Sequence, residues 1–299
     1  MSTYADLLGP LSDRLRGVLA PAPFACLVVS GPDAVGFVHR LCTQDIEGLA
    51  AGRAAPGAFL TPKGKLETLA WLAREPDRVW IEVQAHELDK LTTLLDRYHF
   101  SERLSLEPMR AWSCQMLVGA DVWSHEGVGQ PAAAVEAEPL WFAGATRGLQ
   151  WVRFHGEALA VPAGPWRRVE LQEWELLRIA AGLPWMGVDA DATTLALEAD
   201  IDDHVATDKG CYTGQEIVAR IHTYGHTNRR LCRLRVHATG TGEAPAAIVD
   251  GDGDEVGRVT SIARVPEGAD ALALGYLPHE LANAGASLRL ASGASVEVV

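Results

Sequence analysis

The sequence predicts an α+β fold with antiparallel sheets and helices, followed by a small C-terminal β-barrel. Three observations carry this. A strand-like run, a helix, several strands and a second helix follow one another over roughly the first hundred residues. A hairpin signal, Pro62-Lys63-Gly64-Lys65, lies between two apolar runs. After Asn228 the pattern changes to short β runs with turn signals at 240–242 and 251–253. The expected division is 1–227 for the α+β part, in two lobes, and 228–299 for the barrel.

Taken in order, Phe24-Ala25-Cys26-Leu27-Val28-Val29-Ser30 is a β-branched run whose Gly31-Pro32 exit feeds a helix. Pro32 suits a first helical turn, and Phe37, Val38 and Leu41 recur at helical spacing. Ala58-Phe59-Leu60 and residues 66–73 form the arms of the hairpin. Val79-Trp80-Ile81-Glu82-Val83 is a further strand, and Leu88, Leu91, Leu95 and Tyr98 share a helix face. Residues 127–139, rich in Ala, Gly, Pro and Glu, read as a loop or weak helix, with strand-like stretches near 149–154. A helix from about Leu171 stops at Gly182-Leu183-Pro184. Over 231–236 the alternation puts Cys232, Leu234 and Val236 on one face and Arg233 and Arg235 on the other.

With 299 residues, the chain can bury a large core. Its 48% hydrophobic and 22% charged content is that of a globular protein. No apolar run reaches membrane-spanning length, and the N-terminus lacks the basic start and apolar stretch of a secretory signal, so a cytoplasmic location is expected. A net charge of -13 argues against direct nucleic-acid binding. The five cysteines are widely spread without a CxxC pair, so reduced thiols are expected, with no disulfide framework and no cluster held by this chain alone.

Lys209-Gly210-Cys211-Tyr212-Thr213-Gly214-Gln215-Glu216 is the stretch richest in chemistry. Thr213 and Glu216 have capping-box spacing, which predicts a helix start just after Cys211. A helix N-terminus and the nearby Lys209 would both favour thiolate over thiol. The alternative is that Cys211 is a small buried residue in a tight turn. Gly210 and Gly214 point to positive φ or close backbone approach. Arg220, Arg229, Arg230, Arg233 and Arg235 concentrate positive charge nearby, as a solvated face or as partners for carboxylates. His204, Cys211, His222 and His226 lack a zinc spacing, and Thr223-Tyr224-Gly225 reads as a loop between the last two, so no metal is expected.

The string Lys-Gly-Cys-Tyr-Thr-Gly-Gln-Glu, continued as Ile-Val-Ala-Arg, closely resembles the signature of the YgfZ family of folate-binding proteins, related to the glycine cleavage T protein. Residues 24–31, Gln44-Asp45-Ile46, the 62–65 hairpin, 174–182 and 256–261 extend the resemblance; 120–165 is unmatched. It implies a GcvT-like folate-binding domain, with tetrahydrofolate or a derivative as cofactor. It also implies a role in assembling or repairing iron–sulfur enzymes, including tRNA-modifying ones, with assembly factors or client enzymes as partners. On that resemblance Cys211 is the reactive or contact thiol and Lys209 its electrostatic support. Tyr212 and Gly214 belong to the same motif, whose turn Gln215 and Glu216 hold. Trp174 and Phe24 line the pocket, and Arg220 is a candidate for the folate's glutamyl tail.

Two departures from the related aminomethyltransferases bear on activity. Their aspartate pair after the hairpin is replaced here by Thr68 and Leu69, and Glu67 faces away from Thr68 on a strand. Their pterin-binding glutamate is replaced by Ala180, which cannot accept paired N–H donors. The expectation is therefore a folate-binding assembly protein that is not a standalone enzyme. A one-carbon transferase and a scaffold that has lost folate are the alternatives.

Overall fold

A computed structural model describes residues 2–124, 140–159, 164, 166–237, 244–266, 268, 270–283 and 288–299. The 127–139 stretch and the 240–242 turn signal lie outside the described residues. The N-terminal region runs α1 (Tyr4–Leu8), α2 (Leu11–Arg14), β1 (Gly17–Leu19), β2 (Phe24–Ser30), α3 (Ala34–Leu41), β3 (Arg53–Leu60), β4 (Leu66–Arg74), β5 (Arg78–Gln84), α4 (Leu88–Tyr98) and β6 (Ser105–Pro108). It continues through β7 (Ser113–Gly119), β8 (Leu140–Thr146), β9 (Leu149–Gly156), β10 (Arg167–Arg168), α5 (Leu171–Ala181) and α6 (Gln215–Tyr224). The C-terminal strands are β11 (Arg229–His237), β12 (Ala246–Val249), β13 (Glu255–Arg264), β14 (Ala271–Pro278), β15 (Leu288–Leu290) and β16 (Ser295–Val298).

These strands make three sheets. The first has order β3-β4-β5-β2-β6, the second β10-β1-β7-β9-β8, and the third closes into the expected barrel, β11-β14-β13-β12-β15-β16. Every ladder is antiparallel except the short β1–β10 pair. Alternation along β2 divides its side chains between two cores. Leu27 and Val29 pack under α3 and α4, with Phe37, Leu91 and Leu95. Cys26 and Val28 face the second sheet and α5, in a core that also includes Trp151, Trp174 and the barrel residues Leu272 and Leu274.

α5 holds this shared core together. It opens on a Glu170–Glu173 capping box and ends at Gly182, whose φ of 72° is the left-handed cap its sequence predicts. Arg178 is only 2% exposed, and its Nη1 donates to Asp189 Oδ2 at 2.8 Å. The same carboxylate accepts from Trp185 N at 2.9 Å, Ser261 Oγ at 2.6 Å and Thr260 Oγ1 at 2.5 Å. One buried anion thus joins the central helix, the 185–190 loop and strand β13 of the barrel.

Two sequence expectations are corrected. Arg233 is not on an outer face: it is buried and donates from Nη1 to Ala180 O at 3.0 Å, at the C-terminal end of α5, the helix that packs on the neighbouring barrel strands β13 and β14. Burial pulls its guanidinium down to about 10. The 223–225 segment is not wholly loop, since α6 continues through Tyr224.

Asp189→Ala leaves Arg178 without its buried anion and removes the acceptor of Trp185 N and Ser261 Oγ, while Thr260 Oγ1 keeps Leu274 O at 3.2 Å. Chemical denaturation should show a loss of about 3–5 kcal/mol, the range for breaking a buried pair. A loss below about 1 kcal/mol would show that the node is dispensable.

Candidate functional site

Two features stand out, an exposed thiol on a braced turn and a buried aromatic pocket. The turn is braced at both ends. Lys209 Nζ donates to His39 O at 2.6 Å, Cys42 O at 2.8 Å and Gln44 O at 2.9 Å, and lies 5.0 Å from the Tyr212 ring centroid. Two of those carbonyls belong to the end of α3, so the ammonium caps that helix, as cations near a C-terminus do. Burial lowers the Lys209 pKa.

Gly214 fixes the other end, with φ of 83°. A Cβ there would lie 2.6 Å from Thr61 O and 3.2 Å from Gly64 Cα, so the turn rests on the tip of the β3–β4 hairpin. Tyr212 is buried between these two fixed points, and burial raises its hydroxyl to about 12.

Cys211 is exposed, whereas Cys26, Cys42, Cys114 and Cys232 are buried. The reading of Cys211 as a small core residue is therefore excluded. Burial pushes Cys42 and Cys232 up to about 11, and Cys26 and Cys114 well above the ordinary thiol range.

The predicted capping box does not form. α6 starts at Gln215 after the left-handed Gly214, with no side-chain cap, so Cys211 sits ahead of the helix and not within its cap. Gly210 needs neither positive φ nor close approach, since a Cβ there would find only His39 Nε2 at 3.8 Å. Gln215 is half-buried at the start of α6, and Glu216 and Arg220 are exposed on it.

The pocket lies between the first two sheets and α5. Its walls are mainly rings: Phe24, Trp71, Trp151, Trp174 and Trp185. Phe24 meets Trp174 edge-on at 6.3 Å and Trp185 at 5.9 Å; Trp71 meets Trp151 at 4.7 Å. The expected pair Phe24 and Trp174 therefore do come together. Arg220 is not part of this wall. Arg229, Arg230 and Arg235 pair with Glu198, Asp200 and Asp270.

Sequence reading missed the polar side of the pocket. Arg153 Cζ lies 4.2 Å from the Phe24 centroid and 3.6 Å from Trp151, and Arg153 Nη2 is 2.9 Å from Glu82 Oε2. Burial lowers the Arg153 pKa, opposed by Glu82. His155 Nε2 binds Glu82 Oε1 at 2.5 Å and lies 3.7 Å from Cys114 Sγ. Glu82, Cys114 and His155 bring possible metal-ligand atoms within 4.8 Å of one another, and here Oε1 of the carboxylate is taken by His155 while Oε2 lies against Arg153. The available signal was Glu82 itself, a lone carboxylate within an apolar strand.

Three buried polar atoms on this wall have no hydrogen-bond partner: Trp174 Nε1, Arg153 Nε and Glu82 Oε2. Each such atom costs roughly 1–3 kcal/mol, so their convergence marks a place for a polar ligand or ordered water. A planar ring with donors and acceptors on its edge fits aromatic walls bearing these groups. Ala180 is fully buried and off the wall, so it supplies nothing to such a ring. Thr68 is also buried, Leu69 lines the pocket, and Glu67 Oε2 lies 3.9 Å from Lys90 Nζ.

At neutral pH, competitive alkylation read by peptide mass spectrometry should label Cys211 first, with the other four reacting only on denaturation. Labelling of Cys26 or Cys42 at the Cys211 rate in the folded protein would contradict the geometry.

No protein-family model matches the chain. It is similar to the tRNA-modifying protein YgfZ of Klebsiella pneumoniae, 26% identical over 306 residues that cover 87% of this chain and 92% of that one. A mitochondrial iron-sulfur cluster assembly factor IBA57 homolog of Phaeosphaeria nodorum is 29% identical over 250 residues, 76% of this chain and 57% of its own length. A chloroplastic protein of Arabidopsis thaliana is 25% identical over 294 residues, 88% of this chain and 65% of its own length. The chain thus spans only 57% and 65% of these last two relatives. The aminomethyltransferase T of the glycine cleavage system from Bartonella henselae shares the fold, with a TM-score of 0.80 at 18% identity, over 96% of this chain and 86% of that one. The chain is thus similar to YgfZ and IBA57 proteins along most of its length and shares the fold of the aminomethyltransferase.

Proposed function

We propose that the protein binds a reduced folate in the aromatic pocket and uses Cys211 to support assembly or repair of iron–sulfur clusters in client enzymes, tRNA-modifying enzymes among them. The observation that carries the folate half is the unpartnered Trp174 indole N–H, buried in a wall of rings beside Phe24. What carries the other half is Cys211, an exposed thiol on a turn fixed by Lys209 and Gly214. The names of the YgfZ and IBA57 relatives support the same reading.

Tetrahydrofolate supplies a reduced pterin able to carry a one-carbon unit. Phe24 and Trp174 enclose the ring, and Trp174 Nε1 donates to an acceptor on its edge. Cys211 would offer its sulfur as a ligand to the iron–sulfur cargo at the protein surface. Lys209 and Gly214 keep the turn in place, so the thiol reaches a partner without ordering the backbone first. Aminomethyl transfer is not proposed: Thr68 and Leu69 bring no carboxylate to the pocket, and Glu67 is directed to Lys90.

Calorimetry with tetrahydrofolate should give saturable binding. Trp174→Phe, which keeps a ring and removes the N–H, should weaken it by about 0.5–1.5 kcal/mol. No heat at millimolar ligand would sink the folate reading.

Cys211→Ser should abolish support of iron–sulfur enzyme activity in cells lacking the native protein while leaving folate affinity unchanged. Full complementation by the serine variant would remove the thiol from the mechanism.

A further inference from the structure

Building on the folate reading, we propose that Glu82 selects the ligand's ring by accepting an N–H from the amino edge of an amino-oxo pterin. Glu82 lies on β5 and lines the pocket, with its side chain fully buried. Its Oε1 is occupied by His155 Nε2 at 2.5 Å. Its Oε2 lies 2.9 Å from Arg153 Nη2 but receives no directed hydrogen bond. One oxygen of a buried carboxylate, set against the Arg153 guanidinium, thus keeps acceptor capacity at a wall that carries five aromatic rings together with Gln84 and His204. Hydrogen bonds to a charged acceptor are the stronger ones, and leaving such an acceptor open in a dry site is costly.

The sheet itself does not require an acid here. In register Glu82 stands opposite Cys26 and Trp71, and its strand neighbours Ile81 and Val83 are apolar and buried. A purely structural trio of Glu82, Arg153 and His155 would be expected to close all its bonds. This one leaves Oε2 and Arg153 Nε open, on two residues that both line the same pocket. Arg153 sits between the Phe24 and Trp151 rings, so a cation holds the carboxylate in place and balances its charge. An exocyclic ring amine is the ligand group whose N–H matches an open carboxylate oxygen. Glu82 therefore provides the acceptor that Ala180 does not.

The test uses the full chain and two probes, tetrahydrofolate and its 2-desamino-2-methyl analogue, titrated into the native protein and Glu82→Gln. The native protein should bind the amino ligand about 10- to 100-fold more tightly, as for loss of a charge-assisted bond. Glu82→Gln should bring the two ligands to within about threefold of each other. Equal affinity of the native protein for both probes overturns the proposal while leaving the folate reading intact. Undiminished discrimination by a folded Glu82→Gln also overturns it, because another group would then be reading the amine. If neither probe binds the native protein, the folate reading fails and this inference falls with it. Should Glu82→Gln not fold, Glu82→Asp, which keeps the charge and draws the carboxylate back from the wall, takes its place, and undiminished discrimination by that variant overturns the proposal equally.

Discussion

The pocket's shape depends on the Asp189 carboxylate. A charge with no exposed surface must be surrounded by donors, and here they come from α5, the 185–190 loop and β13. Trp174 lies on the same helix as Arg178, one turn earlier, and Trp185 belongs to the loop whose backbone binds Asp189. Two pocket rings are therefore positioned by the interaction that fastens the barrel to the rest of the protein. A small displacement of α5 would change the Phe24–Trp174 and Phe24–Trp185 contacts together.

The thiol turn follows a different principle. Its backbone is fixed by a buried ammonium and by a glycine with no room for a side chain, while the reactive group is left outside. The pocket is the reverse, with buried polar atoms in its wall that lack hydrogen-bond partners. On the function proposed, a thiol that serves a protein-bound cluster must be reachable by a large partner, whereas a site that reads a pterin gains strength from excluding water. One fold meets both needs because the two devices rest on different elements. The turn sits on the α3 end and the β3–β4 tip, and the pocket lies between the first two sheets and α5.

Much of the fold was legible because local signals agreed with tertiary demands. The α5 stop at Gly182, the hairpin around Gly64, the Leu88–Leu95 helix stripe and the barrel all follow from periodicity and turn chemistry. Cys211 was legible because Lys209 stands two residues before it and the octapeptide around it resembles a known signature. The Thr213 capping box was misread because the positive φ expected of Gly214 is realised between Thr213 and the helix, so α6 begins only at Gln215. Arg233 was misplaced because alternation assumes one wet face, and the second face of β11 brings Arg233 to the buried end of α5. Of the Glu82–Arg153–His155 trio only the lone carboxylate of Glu82 left a sequence signal, since β5 and β9 belong to different sheets and meet only through packing.

The central claim is that a folate ring occupies the pocket between the two sheets and α5, apart from the thiol turn. A crystal structure of the native protein soaked with saturating tetrahydrofolate tests this most directly. The account predicts ring density against Phe24 and Trp174, a ligand atom within hydrogen-bonding distance of Trp174 Nε1, and an unmodified Cys211 at the surface. Ring density elsewhere on the protein, or an unchanged pocket under saturating ligand, would contradict it.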